Sequence, residues 1–481
     1  MATAEDLRYD VAVAGNGVLG LSLGLVLARS GHRVAVVGPP HRRSGGSKAA
    51  GAMLGCFGEV TSSLTKSEHG RKKLELGIEA AKRWPAWLVA LEEQTGRAGV
   101  RTATGTTVIL NTVGTPEIDD ANYRAIKIEL ARYEEPNHDV DPADVEWIDA
   151  EPISRPLAAF HVPGEHGVNA AELLVQLEEA LTAAGGHLVP EVVTAVVDSA
   201  GRATGLSLEN GDSISAGTVV LAAGAYTQDL LAPIQDESAM PPIVSGYGVS
   251  ALVTTEDGTG PDSVIRTPNR SFACGLHVVP RTQGEVYIGA TNVVSTRPLD
   301  TPVMRDLVFL LQCAHRQVRR GLWSSDLTKV QVGNRPVAVD GFPLVGAAGM
   351  EGLWVMTGTY RDGLHMSPLL ADEMARMITG DEPTVDLTPF RPLRRPIQGW
   401  SRDDIVEDVV LHAIATGFEQ DWRVPVDWPF WIENDLRPAI GVWANELDPD
   451  FTPPPELLFG ARFFPDLADM LRAYYKSVRA S

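Results

Sequence analysis

Cysteine, positive charge and long apolar runs are all scarce in this 481-residue chain. Its three cysteines, Cys56, Cys274 and Cys313, stand far apart and form no CxxC or Cys/His cluster. That spacing excludes a disulfide framework and argues against a structural zinc site. Lys and Arg number 41 against 62 acidic residues, for a formal charge of −21. A polyanion of this size repels nucleic acid and acidic lipid, so neither is expected as a partner. The longest apolar run, residues 18–28, carries Ser22 and falls short of the roughly 20 residues a membrane span needs. Between Met1 and Tyr9 charged residues precede any apolar run, unlike a secretory signal. The expectation is a cytoplasmic protein.

What is present is an ordinary globular composition, 44% hydrophobic and 21% charged, long enough for two or three domains. The first forty residues read as strand, tight turn, helix and strand. Val11 to Ala14 is a wholly apolar run, as in a strand covered on both faces. The turn Gly15-Asn16-Gly17-Val18-Leu19-Gly20 follows, then a helix to about Ser30, stopped by Gly31, then Arg33 to Val37. GxGxxG acquires meaning from this βαβ context. Gly15 allows the tight turn, Gly17 lets the backbone approach a pyrophosphate, and Gly20 lets helix and strand pack closely. The phosphates then rest on the helix N-terminus. The acid that normally closes the second strand is absent. Gly38 stands there, followed by His41, Arg42 and Arg43, a combination that also fits the 2′-phosphate of NADP.

Further along, an amphipathic pattern from Glu68 to Thr95 and another from Ala170 to Ala184 predict helices. Residues 191–198, 205–208 and 218–222 read as strands, and 241–291 alternates strand signals with Gly/Pro turns, as in an antiparallel sheet. That sheet is separated in sequence from the N-terminal unit, so the domains are expected to be interleaved. Aromatics make up only 6% of the chain, yet Trp400, Trp422, Trp428, Trp431 and Trp443, half of its 10 tryptophans, crowd into the last sixth. With Pro453-Pro454-Pro455 and a helix at 465–478 this reads as an appended C-terminal element, its tryptophans serving as core, dimer contact or pocket cap.

Past the second strand, Gly46-Ser47-Lys48-Ala49-Ala50-Gly51-Ala52-Met53-Leu54-Gly55 resembles a segment of the D-amino-acid oxidase superfamily, in its glycine oxidase and sarcosine oxidase branch. Residues 219–226 (VVLAAGAY), 276–281 (LHVVPR), 287–291 (YIGAT), 333–336 (GNRP), 340–346 (DGFPLVG) and 358–364 (GTYRDGL) resemble further family segments in the same order. Residues 396–481 match nothing in it. The resemblance implies an α/β fold: a Rossmann-like FAD-binding domain (1–60, 150–235, 330–395) interleaved with an antiparallel-sheet substrate domain (61–149, 236–329), plus the extension 396–481. It implies non-covalent FAD, held by Gly15, Gly17, Val18, Leu19, Gly20, Gly46, Ser47, Ala49, Ala50, Met53, Leu54, Val193, Ala222, Ala223, Gly224, Arg361, Asp362, Gly363 and Leu364.

The same resemblance implies that Arg335 grips a substrate carboxylate, a planar anion that suits the guanidinium fork. An ion pair of Arg335 with Asp340 is the competing reading. Arg361 resembles a second arginine near substrate or flavin, Met53 gives an apolar wall, and Tyr247 stands where relatives carry Gln or Glu. His277 occupies the place of a substrate-binding tyrosine, or is a satisfied core histidine. The activity implied is oxidation of the C–N bond of glycine or an N-carboxymethyl amine, with O₂ as electron acceptor and homo-oligomers left open. A 2-hydroxy-acid oxidase, an acceptor-linked dehydrogenase, an NADP-dependent reductase and a non-catalytic flavin subunit stay as alternatives.

Overall fold

The computed structural model describes residues 8–42, 44–111, 116–145, 147–234, 240–270, 275–282, 284–419 and 422–480. Met1 to Leu7, Arg43 and Cys274 therefore lie outside the described residues. An eight-stranded sheet forms around parallel strands Ser213–Leu221, Arg8–Ala14, Val34–Val37 and His187–Val189. Leu353–Thr357 joins Ser213–Leu221 in parallel. These strands are apolar because both faces are covered. One face packs Val11, Val13, Val34 and Val36 under helices Val18–Arg29, Glu68–Thr95, Ala170–Ala183 and Ser367–Thr379. The other meets the antiparallel ribbon Val193–Ser199 and Arg202–Leu208. Helix Glu68–Thr95 starts where the Ser67 hydroxyl accepts the Gly70 N–H at 2.9 Å and stops at Gly96, φ +68°, the two terminal signals such a helix needs.

A nine-stranded sheet carries the second layer. Its spine is the long pair Ile243–Thr254 and Asp326–Ala338, with Glu285–Gly289, His277–Pro280 and Val264–Arg266 beside it. The segment expected to alternate does so, antiparallel except where Val264–Arg266 runs parallel to Thr106–Asn111. Sheet membership cuts across the boundaries read from the sequence. Pro156–Val162 and most of Asp326–Ala338 belong to this sheet, although 150–235 and 330–395 were assigned to the dinucleotide part.

Beyond residue 396 the chain is helical: Arg402–Glu419, Trp428–Leu447, Pro455–Phe463 and Pro465–Ala480. These helices enclose their own core, which Val244, Val294, Val337 and Val339 of the nine-stranded sheet and its flank complete. Trp400 and Trp443 are half-buried and pack against that core, their indole N–H groups donating to Ser63 O (2.6 Å) and Leu458 O (3.1 Å). Trp428 and Trp431 are exposed, at 46% and 55%. None of the five tryptophans lines the cavity described next, which removes the pocket-cap reading. No described helix is long and apolar enough to cross a membrane.

Candidate active site

A cavity of about 920 Å³ runs from the first glycine turn to the spine of the nine-stranded sheet, at the upper end of the roughly 300–1,000 Å³ of small-molecule sites. At one end its wall is backbone. Gly15 has φ +122°, and a Cβ there would fall 2.3 Å from Ala222 O. No other residue type fits that crossing of the two parallel strands. Gly17 caps the helix Val18–Arg29, whose first N–H, that of Val18, donates to Ser47 Oγ at 3.0 Å. Gly46 lies so close to the next strand that a Cβ would sit 2.9 Å from Asn334 O. Bare amides and small side chains around a helix N-terminus are what a dinucleotide pyrophosphate requires.

The missing acid at Gly38 has a steric cause. A Cβ there would meet Asn16 Oδ1 at 2.5 Å, and Asn16 Nδ2 donates to Pro39 O at 3.0 Å. The neighbouring arginine is engaged as well: Arg42 Nε donates to Asn16 O at 2.7 Å, and its Nη2 pairs with Glu178. Arg42 therefore offers no free fork to a 2′-phosphate.

The other end is lined by half-buried charged side chains. Arg335 stands opposite Gly246 on the central strand pair. Its Nη1 donates to Gly246 O (3.3 Å), Thr291 O (3.2 Å) and Asn292 Oδ1 (3.4 Å). Gly248 makes room for it, since a Cβ would lie 2.5 Å from the guanidinium. Asp340 belongs to Arg394 instead, at 2.8 Å on both oxygens, and no described acid lies within 4 Å of Arg335. Burial, and then the nearby charge of Arg361, push the Arg335 pKa down. Both effects are relieved by a bound anion.

Arg361 donates to Arg270 O at 3.0 Å and stacks its guanidinium over Tyr360. Burial works against its charge, but Tyr360 and Glu59 hold the pKa above the usual arginine value. Glu59 receives Arg266 Nη1 at 2.7 Å and Asn269 Nδ2, and Arg266 Nη2 donates to Asn269 Oδ1 at 2.7 Å. Burial alone would neutralise Glu59; Arg266 and Arg361 overcome it and hold the carboxyl down at about 2.

His277 donates from Nδ1 to Gly275 O at 2.9 Å and stacks on Tyr287 at 5.6 Å. Burial first, then Arg266, lower its pKa to about 3, so the ring is neutral with Nε2 as an acceptor. It is thus both satisfied and on the cavity wall. Tyr287 in turn donates to Ala49 O at 3.0 Å, tying the small-residue segment to the sheet.

Nearly all the residues singled out from sequence meet in this one cavity; three stand outside it. Tyr247 faces the opposite side of its strand, where its hydroxyl donates to Thr301 O (3.1 Å) and accepts the Val303 N–H (2.9 Å). Strand alternation sends Gly246 and Gly248 inward and Tyr247 outward. Leu54 alternates likewise with Met53 and joins the main core. Gly20 is consumed by packing, a Cβ there lying 1.8 Å from Gly15 O. The sequence reading missed Glu59, Asn269, Asn292 and His365, all on the wall. Glu59 alone left a signal, as a lone acid in the apolar run that follows Met53.

Fold and site together define an α/β oxidoreductase with a dinucleotide cradle at one end of its cavity and a cationic chamber at the other. The sequence pattern of FAD dependent oxidoreductases matches residues 10–377. The chain belongs to that family, and FAD is its cofactor. It is 28% identical to the glycine oxidase of Geobacillus kaustophilus over 389 residues, 80% of this chain and 96% of that protein. The crystal structure of that glycine oxidase superimposes with a TM-score of 0.70 at 26% identity, over 81% of this chain and 99% of its own. Iminodiacetate oxidase from Chelativorans sp. BNC1 shares the fold, with a TM-score of 0.68 at 19% identity over 80% and 100% of the two chains.

Proposed function

We propose that the protein oxidises the C–N bond of glycine or of an N-carboxymethyl amine, with FAD held non-covalently. The observation that carries this reading is Arg335, a half-buried cation on the cavity wall, anchored on backbone carbonyls with no described acid beside it. Such a group needs an anion, and a carboxylate matches its fork with contacts that contribute roughly 1.5–3 kcal/mol. The likeness to glycine oxidase supports an amino-acid substrate.

When bound, FAD would supply a hydride acceptor whose reduced form is reoxidised by O₂ with H₂O₂ as product. The chain's own residues do the positioning. Arg335 holds the carboxylate and so fixes the α-carbon, whose C–H must come within about 3–3.5 Å of the acceptor atom. The Glu59 carboxylate and the His277 Nε2 lone pair are acceptors on the cavity wall, to which this reading assigns the amine, and Met53 and Tyr287 give the wall its apolar surface. Loss of hydride from the neutral amine leaves a protonated imine, which water hydrolyses to an oxo acid and the protonated amine or ammonium.

The test is anaerobic bleaching of the flavin against glycine, sarcosine and larger N-carboxymethyl amines, followed by peroxide release in air. Bleaching by one of these with stoichiometric peroxide is expected. Flavin that resists every amine would sink the reading; bleaching by 2-hydroxy acids alone, or without peroxide, would replace it.

A further inference from the structure

We infer that the C-terminal extension is a positioning element for the substrate end of the cavity, acting through Glu419 and Arg270. Residues 396–481 lie past the end of the family match and none of them lines the cavity, so the extension reaches it only through contacts behind the wall. Helix Arg402–Glu419 ends in a carboxylate that is 2% exposed and lies 2.7 Å from Arg270 Nη1. The other side of that guanidinium, itself 5% exposed, is taken by Asp119 of helix Pro116–Arg132, with Nε to Oδ1 at 2.8 Å. Arg270 is thus clamped between carboxylates from two separate elements. The second Glu419 oxygen receives the Cys313 thiol at 4.0 Å.

The clamp reaches the cavity through the backbone. The carbonyl of Arg270 is the acceptor for Arg361 Nη2 at 3.0 Å. The preceding residue, Asn269, carries the bonds that orient Glu59, and its own carbonyl accepts Asn122 Nδ2 at 2.8 Å. A shift of residues 269–270 would therefore move Arg361 and Glu59 together. Glu419 touches neither, and it is a positioning residue. Because a side chain locked by packing and hydrogen bonding holds its partner to a fraction of an ångström, loosening the clamp should weaken the grip on a substrate anion more than it slows chemistry.

This inference rests on the proposal that the chamber binds a carboxylate, and the experiment separates the two. Acetate, which cannot be oxidised, is titrated into the FAD-loaded protein and followed by the flavin absorption spectrum. Wild type that shows no acetate-dependent change would overturn the carboxylate reading itself. With binding present, Glu419→Gln is expected to raise the acetate Kd and the KM of a carboxylate substrate about tenfold, with kcat within about twofold. Leu471→Ala, in the extension's own core, controls for mere destabilisation: it should lower Tm and leave Kd and KM alone. Equal acetate affinity in Glu419→Gln and wild type, or an equal loss in Leu471→Ala, overturns the positioning role. Should Glu419→Gln fail to fold, Glu419→Asp, which keeps the charge but withdraws it by one methylene, takes its place, with a rise of about threefold expected; an unchanged Kd there counts against the role in the same way.

Discussion

At the dinucleotide end of the cavity the wall is made of peptide groups and glycines, and its charged neighbour Arg42 is tied to Glu178. At the substrate end the wall is made of Arg335, Arg361 and Glu59, half-buried side chains whose charges are held by one another and by backbone carbonyls. The difference follows from what each end must hold. A pyrophosphate is bound by amide dipoles at a helix start, which need close approach and no side chain. A small anion in a dry chamber needs whole charges, which survive burial only when paired or hydrogen-bonded. The first end should therefore fail by steric intrusion and the second by loss of charge.

The sharpest break of that contrast is Gly15→Val. Its branched side chain would begin 2.3 Å from Ala222 O on a backbone at φ +122°, a conformation that strains any L-residue by about 1–3 kcal/mol before the clash is counted. The expected outcome is protein that elutes without yellow colour. A Gly15→Val protein with a full complement of bound FAD would show that the cradle lies elsewhere.

Next in size is Arg335→Ala, expected to lower kcat/KM for a carboxylate substrate at least about tenfold, or roughly 1.4 kcal/mol, while FAD content stays at the wild-type level. Arg335→Lys, keeping the charge without the fork, should fall between the two. Loss of FAD in parallel with activity would blur the division between the ends.

The substrate end should also leave a mark on acid stability. Burial, then Arg270 and Arg361, hold His412 down to about 3, as burial does His277. The unfolded chain takes up these protons near the ordinary pKa of about 6.5, the folded one only near 3, so stability falls as pH drops through that window. His412→Gln should make the urea midpoint less sensitive between pH 7 and 5.5 than in wild type. An unchanged slope would mean that His412 contributes nothing to it.

Smallest is Tyr247→Phe. With the hydroxyl bonded to Thr301 and Val303 on the outer face, it should cost about 1 kcal/mol of stability. The kcat/KM, measured at matched FAD content, should stay within about twofold. A larger kinetic effect would restore Tyr247 to the chamber.

Much of the dinucleotide end was legible because its signals are local. Gly15, Gly17 and the apolar runs around them act within one turn, and the helix Glu68–Thr95 has its start and stop signals, Ser67 and Gly96, directly at its two ends. Tyr247 and Leu54 were misplaced for the opposite reason. Facing alternates residue by residue along a strand, and which parity points inward is fixed by the partner strands. The two glycines flanking Tyr247 were the available hint, since only the inward positions must clear Arg335 and Tyr360.

The sequence by itself determined the βαβ turn, the ordered family segments and the arginine expected to meet a carboxylate, because each is written within a few consecutive residues. Only the tertiary structure decided that Asp340 serves Arg394, that Asn16 explains Gly38, and that Glu419 reaches Arg270 from a helix about 150 residues away. Pairings of buried charge depend on which side chains share one dry volume, and that is set by how the layers close and not by any local pattern.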